Sequence, residues 1–206
     1  MSLSTKSIFP LFESICVING SPQNVEFHAK RFLDSFKKFY WQIPDYDLFE
    51  GISIPKEYQK GKVKLRISYN KDGKKHSLQP HIEKKIESLH VVIDNTIDYD
   101  LKFENRYPLD VLFQQKKDCD DILIVRNQWL TDSYYANIVF WDGTEWYTPN
   151  SYLLNGTKRS QLLKDGAIKE APLQLRDLKG FQGFQLINAM MDFEPDIFKT
   201  IDNIKF

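Results

Sequence analysis

The feature that most constrains this chain is a recurring punctuation, in which short apolar runs break at a two-residue Xaa-Gly turn. Asn19-Gly20 follows the alternating run 12–18. Asp72-Gly73 divides 63–69 from 76–82, and Asp142-Gly143 divides 138–141 from 146–148. Asn-Gly and Asp-Gly accept the positive φ angles that tight antiparallel reversals demand, so each dipeptide predicts a hairpin turn. Three such turns spread along 206 residues exclude an all-helical fold.

Between the turns the period changes. Phe27, Arg31, Leu33, Phe36 and Tyr40 recur at helical spacing, with Asn24 as the N-cap and an end before Pro44. Residues 45–61, rich in Asp, Gly, Pro and Lys, read as a loop with a short helix. Residues 89–93 read as a strand and 95–100 as a polar connector. Helical character returns at 108–116, where Pro108 suits a first turn. The unbroken apolar run 122–125 reads as a buried strand, 159–164 as a short helix and 184–187 as a last core strand. The sum is an α+β chain of two small subdomains. One spans 1–95. The other spans 96–206, is larger and carries most of the chemistry.

Charge removes several function classes. Lys plus Arg and Asp plus Glu each number 28, which leaves no net charge to draw the chain to nucleic acid or a membrane surface. No apolar run approaches the roughly 20 residues of a bilayer span. The first six residues contain no signal-peptide core, so a cytoplasmic protein is expected. Cys16 and Cys119 make no disulfide framework, and the four histidines have no metal-ligand spacing.

Chemistry enters through an ordered set of short motifs. Phe12-Glu13-Ser14 opens the first strand and His28-Ala29-Lys30-Arg31 lies on the first helix. Lys102-Phe103-Glu104-Asn105-Arg106 follows the connector. Leu130-Thr131-Asp132-Ser133 precedes Asn137-Ile138, and Gly156-Thr157-Lys158-Arg159 opens a helix. Ile187-Asn188-Ala189-Met190-Met191 comes last. Taken together, these resemble the fold-type IV pyridoxal-phosphate enzymes, which include class IV aminotransferases and 4-amino-4-deoxychorismate lyase.

The resemblance implies a role for each residue. Lys102 would be the Schiff-base lysine, which afterwards shuttles protons, and it is the one catalytic candidate. Arg31 would bind the cofactor phosphate, a task suited to a guanidinium fork. Asp132 would face the pyridine nitrogen and hold a proton there, although the family's residue is a glutamate, one methylene longer. Thr157 and Lys158 would offer a helix N-terminus to the phosphate. The threonine is displaced by one position from the family pattern, so its hydroxyl contact is lost while the backbone contacts remain. Asn188 and Ala189 would close the phosphate site, and Asn137 would be scaffolding. A family segment that ordinarily precedes Phe12 is missing, so part of the substrate pocket wall is expected to be absent or rebuilt.

The implied cofactor is pyridoxal 5'-phosphate, and the implied partners are a small amino substrate and a second copy of the chain. The element around Asn188 favours the lyase reaction of folate biosynthesis, a β-elimination giving 4-aminobenzoate and pyruvate. The same residues serve a transaminase for branched-chain or D-amino acids. A third possibility is a scaffold that binds without catalysing.

Overall fold

The protein is represented by a computed structural model that describes residues 9–206. Its N-terminal residues, on which the signal-peptide reading rests, lie outside that range. Contacts divide the chain into two units. The first runs up to Ile82 and also takes in Leu101–Arg106, and the second comprises Glu83–Asp100 and Tyr107–Phe206.

The first unit is a four-stranded antiparallel sheet with one helix. Strands β1 (Leu11–Ile18), β2 (Ser21–Pro22), β3 (Lys62–Asn70) and β4 (Gly73–Pro80) lie in the order β2-β1-β3-β4. Asn19 and Gly20 both have positive φ, 48° and 82°, as a two-residue reversal between β1 and β2 requires. Helix α1 (Val25–Tyr40) buries Phe32 and Phe36 among Leu11, Ile15, Leu65 and Ile67, with Phe32 edge-on to Tyr69 at 4.9 Å. Asn24 holds the N-cap position but does not cap. Its φ is 54° and its side chain makes no cap hydrogen bond, because the chain enters α1 from β2 through a left-handed residue.

The expected boundary near residue 95 does not match this division. Leu101 is buried in the core of the first unit. Lys102 carbonyl accepts from Phe12 N–H at 3.1 Å, and Glu104 N–H donates to Pro10 carbonyl at 2.8 Å. Leu11 and Phe103 pair as an antiparallel bridge. The lysine-bearing segment therefore extends the edge of β1 and belongs with the N-terminal residues, while 83–95 belong with the second unit.

The second unit is built on strands β5 (Leu89–Ile93), β6 (Asp121–Arg126), β7 (Trp129–Ser133), β8 (Asn137–Trp141), β9 (Trp146–Pro149), β10 (Lys169–Ala171), β11 (Gly183–Ile187), β12 (Lys199–Thr200) and β13 (Ile204–Lys205). The main path is β10-β9-β8-β7-β6-β5-β13, with β11 beside β8 and β12 beside β11. Strands β5 and β6 are parallel, and their residues 89–92 and 121–125 are buried on both faces, which accounts for the apolar run 122–125. Helix α2 (Tyr107–Phe113) lies in their connection, and α3 (Thr157–Lys164) follows β9. Ile138 and Phe140 of β8 enter one core with Leu123 and Phe184. Val139 enters another with Leu162 of α3, as alternation along a strand requires. No helix among the described residues is long and apolar enough to cross a membrane.

Candidate active site

In the first unit, the Phe-Glu-Ser motif of β1 and the His-x-x-Arg motif of α1 close on one another. Glu13 is completely buried, and its carboxylate accepts from three donors. These are His28 Nδ1 at 2.6 Å, Arg31 Nε at 2.8 Å and Arg31 Nη2 at 2.5 Å. His28 and Arg31 can reach one carboxylate because positions three apart on a helix share a face. Burial alone would push the Glu13 carboxyl up. The Arg31 charge and the His28 hydrogen bond outweigh it and bring the pKa down to about 2. Burial holds the His28 ring below its ordinary value despite the Glu13 hydrogen bond, so neutral His28 donates through Nδ1. Two of the three Arg31 guanidinium nitrogens thus bond to the Glu13 carboxylate.

Lys102 stands beside this triad. Its ammonium lies 4.9 Å from the centre of the Phe12 ring, and among the described residues nothing accepts a hydrogen bond from it. Burial, followed by the Arg31 charge, depresses its pKa from 10.5 to about 7, against the opposing pull of Glu13. Such an amine is substantially unprotonated near neutral pH, the state in which it attacks a carbonyl carbon. Lys102 and Arg31 are therefore electrostatic neighbours within the first unit.

In the second unit, Asp132 is a strand residue of β7 rather than a turn residue, and it is buried. One of its oxygens accepts from Asn137 Nδ2 at 2.7 Å. The other accepts from Leu153 N–H at 3.0 Å and Leu154 N–H at 2.9 Å. Burial raises its pKa to about 6, with the amide donors resisting, so at pH 7 it is predominantly a carboxylate. Asn137 also donates to Leu154 carbonyl at 2.9 Å, which ties β8 to the loop before α3. The scaffolding role expected of Asn137 is the one it plays.

The same loop delivers α3. Its N-cap is Gly156, which has no side chain to satisfy the first-turn N–H groups. A Cβ at Gly156 would stand 1.9 Å from Asn137 Oδ1, so glycine here permits the approach that places Asn137 on Asp132. Thr157 is buried and Lys158 partly buried in the first turn. Arg159 turns inward to Pro149 carbonyl at 3.0 Å and to Glu170. The structure thus brings Asp132, Asn137 and the start of α3 into one hydrogen-bonded assembly. Asn188 lies elsewhere in this unit, after β11. Its Oδ1 accepts from Met190 N–H and Met191 N–H, and its Nδ2 donates to Tyr135 carbonyl at 3.3 Å. The Met190 and Met191 N–H groups are thus turned onto the Asn188 side chain.

Sequence reasoning passed over Glu13 as more than a motif letter and overlooked Glu104 and Arg66. A signal for Glu13 existed, since a charged residue inside an apolar strand needs a buried partner. For the other two nothing local gave notice.

These features define a class. The amino-transferase class IV family matches residues 10–195, and the chain belongs to it. Its fold is that of the fold-type IV pyridoxal-phosphate enzymes. A Haemophilus influenzae Rd protein of unassigned function is 34% identical over 185 residues, which cover 89% of this chain and 98% of that one. A solved structure from Haemophilus somnus 129PT, assigned as a 4-amino-4-deoxychorismate lyase, is 33% identical with a TM-score of 0.79, covering 89% of this chain and 97% of that one. A protein of Mycobacterium tuberculosis, described as a hypothetical aminotransferase in its PLP-bound form, shares the fold. Its TM-score is 0.71 at 17% identity, covering 88% of this chain and 78% of that one.

Proposed function

We propose that this protein is a pyridoxal-phosphate-dependent lyase acting on 4-amino-4-deoxychorismate to release 4-aminobenzoate and pyruvate. The observation that carries the reading is Lys102, a partly buried amine with a pKa of about 7 that has no hydrogen-bond acceptor among the described residues. A lysine kept for packing or solubility is instead solvated or paired. The choice of the lyase over other class IV reactions leans on the Haemophilus somnus relative, which this chain matches over almost its whole length.

The donor set fits the cofactor. Lys102 offers a nucleophilic amine for the aldehyde. Asp132 offers a carboxylate for the pyridine N–H, and α3 offers an N-terminus with no side-chain cap for the phosphate. Pyridoxal phosphate, when bound, supplies an aldehyde that condenses with amines and a ring that accepts electrons from the substrate's α-carbon.

The chain's own residues supply the remainder. Lys102 would hold the cofactor through Nζ and, once free, would carry the substrate's α-proton on that atom, which its low proton affinity would allow to be released again. Asp132, predominantly anionic at pH 7, would favour a proton on the pyridine nitrogen of a cofactor held beside it. Leu153, Leu154 and Asn137 hold its two oxygens in place. Glu13 orients Arg31, whose charge keeps Lys102 from carrying a permanent proton.

A transaminase reading is favoured by the family as a whole and uses the same residues. The two separate by product. Formation of 4-aminobenzoate from the amino-chorismate substrate supports the lyase, and glutamate-dependent exchange with keto acids supports the transaminase. Borohydride reduction followed by peptide mass mapping should place the cofactor adduct on Lys102 and lose it in Lys102→Ala. An adduct that persists in the variant refutes the site. We propose a homodimer as the working assembly, checked by sedimentation equilibrium.

A further inference from the structure

Lys102 shares its segment with an unusual neighbour. Glu104, two residues on, accepts from Arg66 Nη2 on one carboxylate oxygen and from Ser68 Oγ at 2.5 Å on the other. Arg66 and Ser68 are alternate residues of β3 and project on one face of the sheet. The Arg66 guanidinium lies 3.5 Å over the Phe12 ring, the ring that also faces the Lys102 ammonium. A cavity of about 350 Å³, lined by Arg66, Ser68, Lys75, His76, Ser77 and Glu104, opens beside the cluster.

We propose that Glu104 is a positioning residue for Lys102: its carboxylate, shared between Arg66 and Ser68, pins the lysine-bearing segment across to β3 and balances the guanidinium that shares the Phe12 ring with the lysine amine. The significance of this for catalysis rests on the reading of Lys102 as the cofactor lysine. Its test does not.

The backbone bonds from Phe12 and Glu104 fix the segment along β1 only. The Glu104 clasp reaches one strand further, to β3, and removes the freedom to pivot about the β1 edge. The charges acting on Lys102 are Arg31 from α1, Glu13 from β1, Arg66 from β3 and Arg106 from its own segment, with His28 of α1 near. Arg66 disfavours a proton on Lys102, and Glu104 in contact with Arg66 cancels part of that effect. The two halves of the pair therefore act with opposite sign. Removing Glu104 lowers the proton affinity of Lys102, removing Arg66 raises it, and removing both returns it towards its starting value. Side-chain exposures of 30% for Arg66 and 22% for Glu104 mean water screens each effect in part.

The experiment uses the full-length, cofactor-free protein. Acetylation of Lys102 by acetic anhydride is followed against pH by peptide mass spectrometry, which reads the free-amine fraction without catalysis. Glu104→Gln should shift the midpoint to lower pH, so that labelling just below pH 7 quickens by about two- to fivefold, a fraction of the tenfold that one pKa unit represents. Arg66→Met should slow it by a similar factor, and the double variant should lie within about twofold of the natural protein. Hydrogen exchange at 101–106 should quicken in Glu104→Gln and in Ser68→Ala, the latter with its labelling midpoint unmoved. A purely structural role would lower the melting temperature of Glu104→Gln and leave the midpoint in place. Midpoints that stay still in both single variants, or move in the same direction, overturn the proposal. If labelling behaves as described but the cofactor adduct maps to a different lysine, the functional reading fails and this one stands.

Discussion

At the scale of single residues, the site consists of charges whose titration is displaced by burial and by one another. Glu13 has its carboxyl at about 2 instead of the ordinary 4.5, so it stabilises the fold fully above pH 4.5 and loses that stabilisation as pH falls towards 2. The shift corresponds to about 3 kcal/mol, and Glu13→Gln should destabilise the protein at pH 7 by about 3–5 kcal/mol, because it leaves Arg31 largely buried without its counter-charge. Denaturant melts at pH 7 and pH 3 check both the magnitude and the narrowing of the gap in acid. Lys102 behaves in the opposite way. Its pKa of about 7 lies below its ordinary 10.5, so the folded chain is penalised for holding that proton at neutral pH and relieved as pH rises through the window from 7 to 10.5. Lys102→Met should therefore stabilise the cofactor-free protein by on the order of 3 kcal/mol at pH 6, allowing for the part of the side chain that water reaches, and by almost nothing at pH 11. A destabilised variant at pH 6 would contradict the partly buried amine that has no acceptor among the described residues. The motifs named Lys102, Arg31 and Asp132, but the Glu13 contact with Arg31 was illegible, because it joins positions 18 residues apart.

At the scale of elements, one loop organises the surroundings of Asp132 in the second unit. Residues 153–156 present two N–H groups to Asp132 and then start α3 at a glycine that Asn137 crowds. Gly156→Ala should push Asn137 off Asp132 and Leu154, lower stability by about 2 kcal/mol from the orphaned buried groups and weaken cofactor binding at least tenfold. Calorimetry and cofactor titration by absorbance measure the two losses, and a variant with natural affinity would show that α3 has no part in binding. The hairpins near Asn19-Gly20, Asp72-Gly73 and Asp142-Gly143 were legible because turn residues are local, although only the first reverses on the dipeptide itself; the second turns on Lys71-Asp72, with Gly73 already in β4, and the third on the four residues 142–145. Strand β7 was not, since it follows a reversal at Asn127-Gln128 with φ of 51° and 70°, where glutamine gives no turn signal. The motif named Asp132, but only the sheet shows it as a buried rung of β7.

For the molecule as a whole, the chain passes from the first unit to the second at Ile82, returns for Leu101–Arg106 and leaves again. The returning segment adds Leu101 to the first core and pairs Phe103 with Leu11, so a fragment ending at Ile82 lacks part of its own sheet edge. Such a fragment should melt well below the intact protein or without cooperativity, as followed by circular dichroism. Cooperative melting at the intact temperature would show the segment to be dispensable. By itself the sequence determined the strand reversals, the helix periods and, through ordered motifs, the family, because these depend on residues close along the chain. Only the tertiary structure decided that the lysine segment joins the N-terminal sheet, that Glu13 takes up the arginine and that Glu104 reaches Arg66. Each of those joins positions distant along the chain, the first through backbone bonds and apolar burial and the others through charges withdrawn from water in whole or in part.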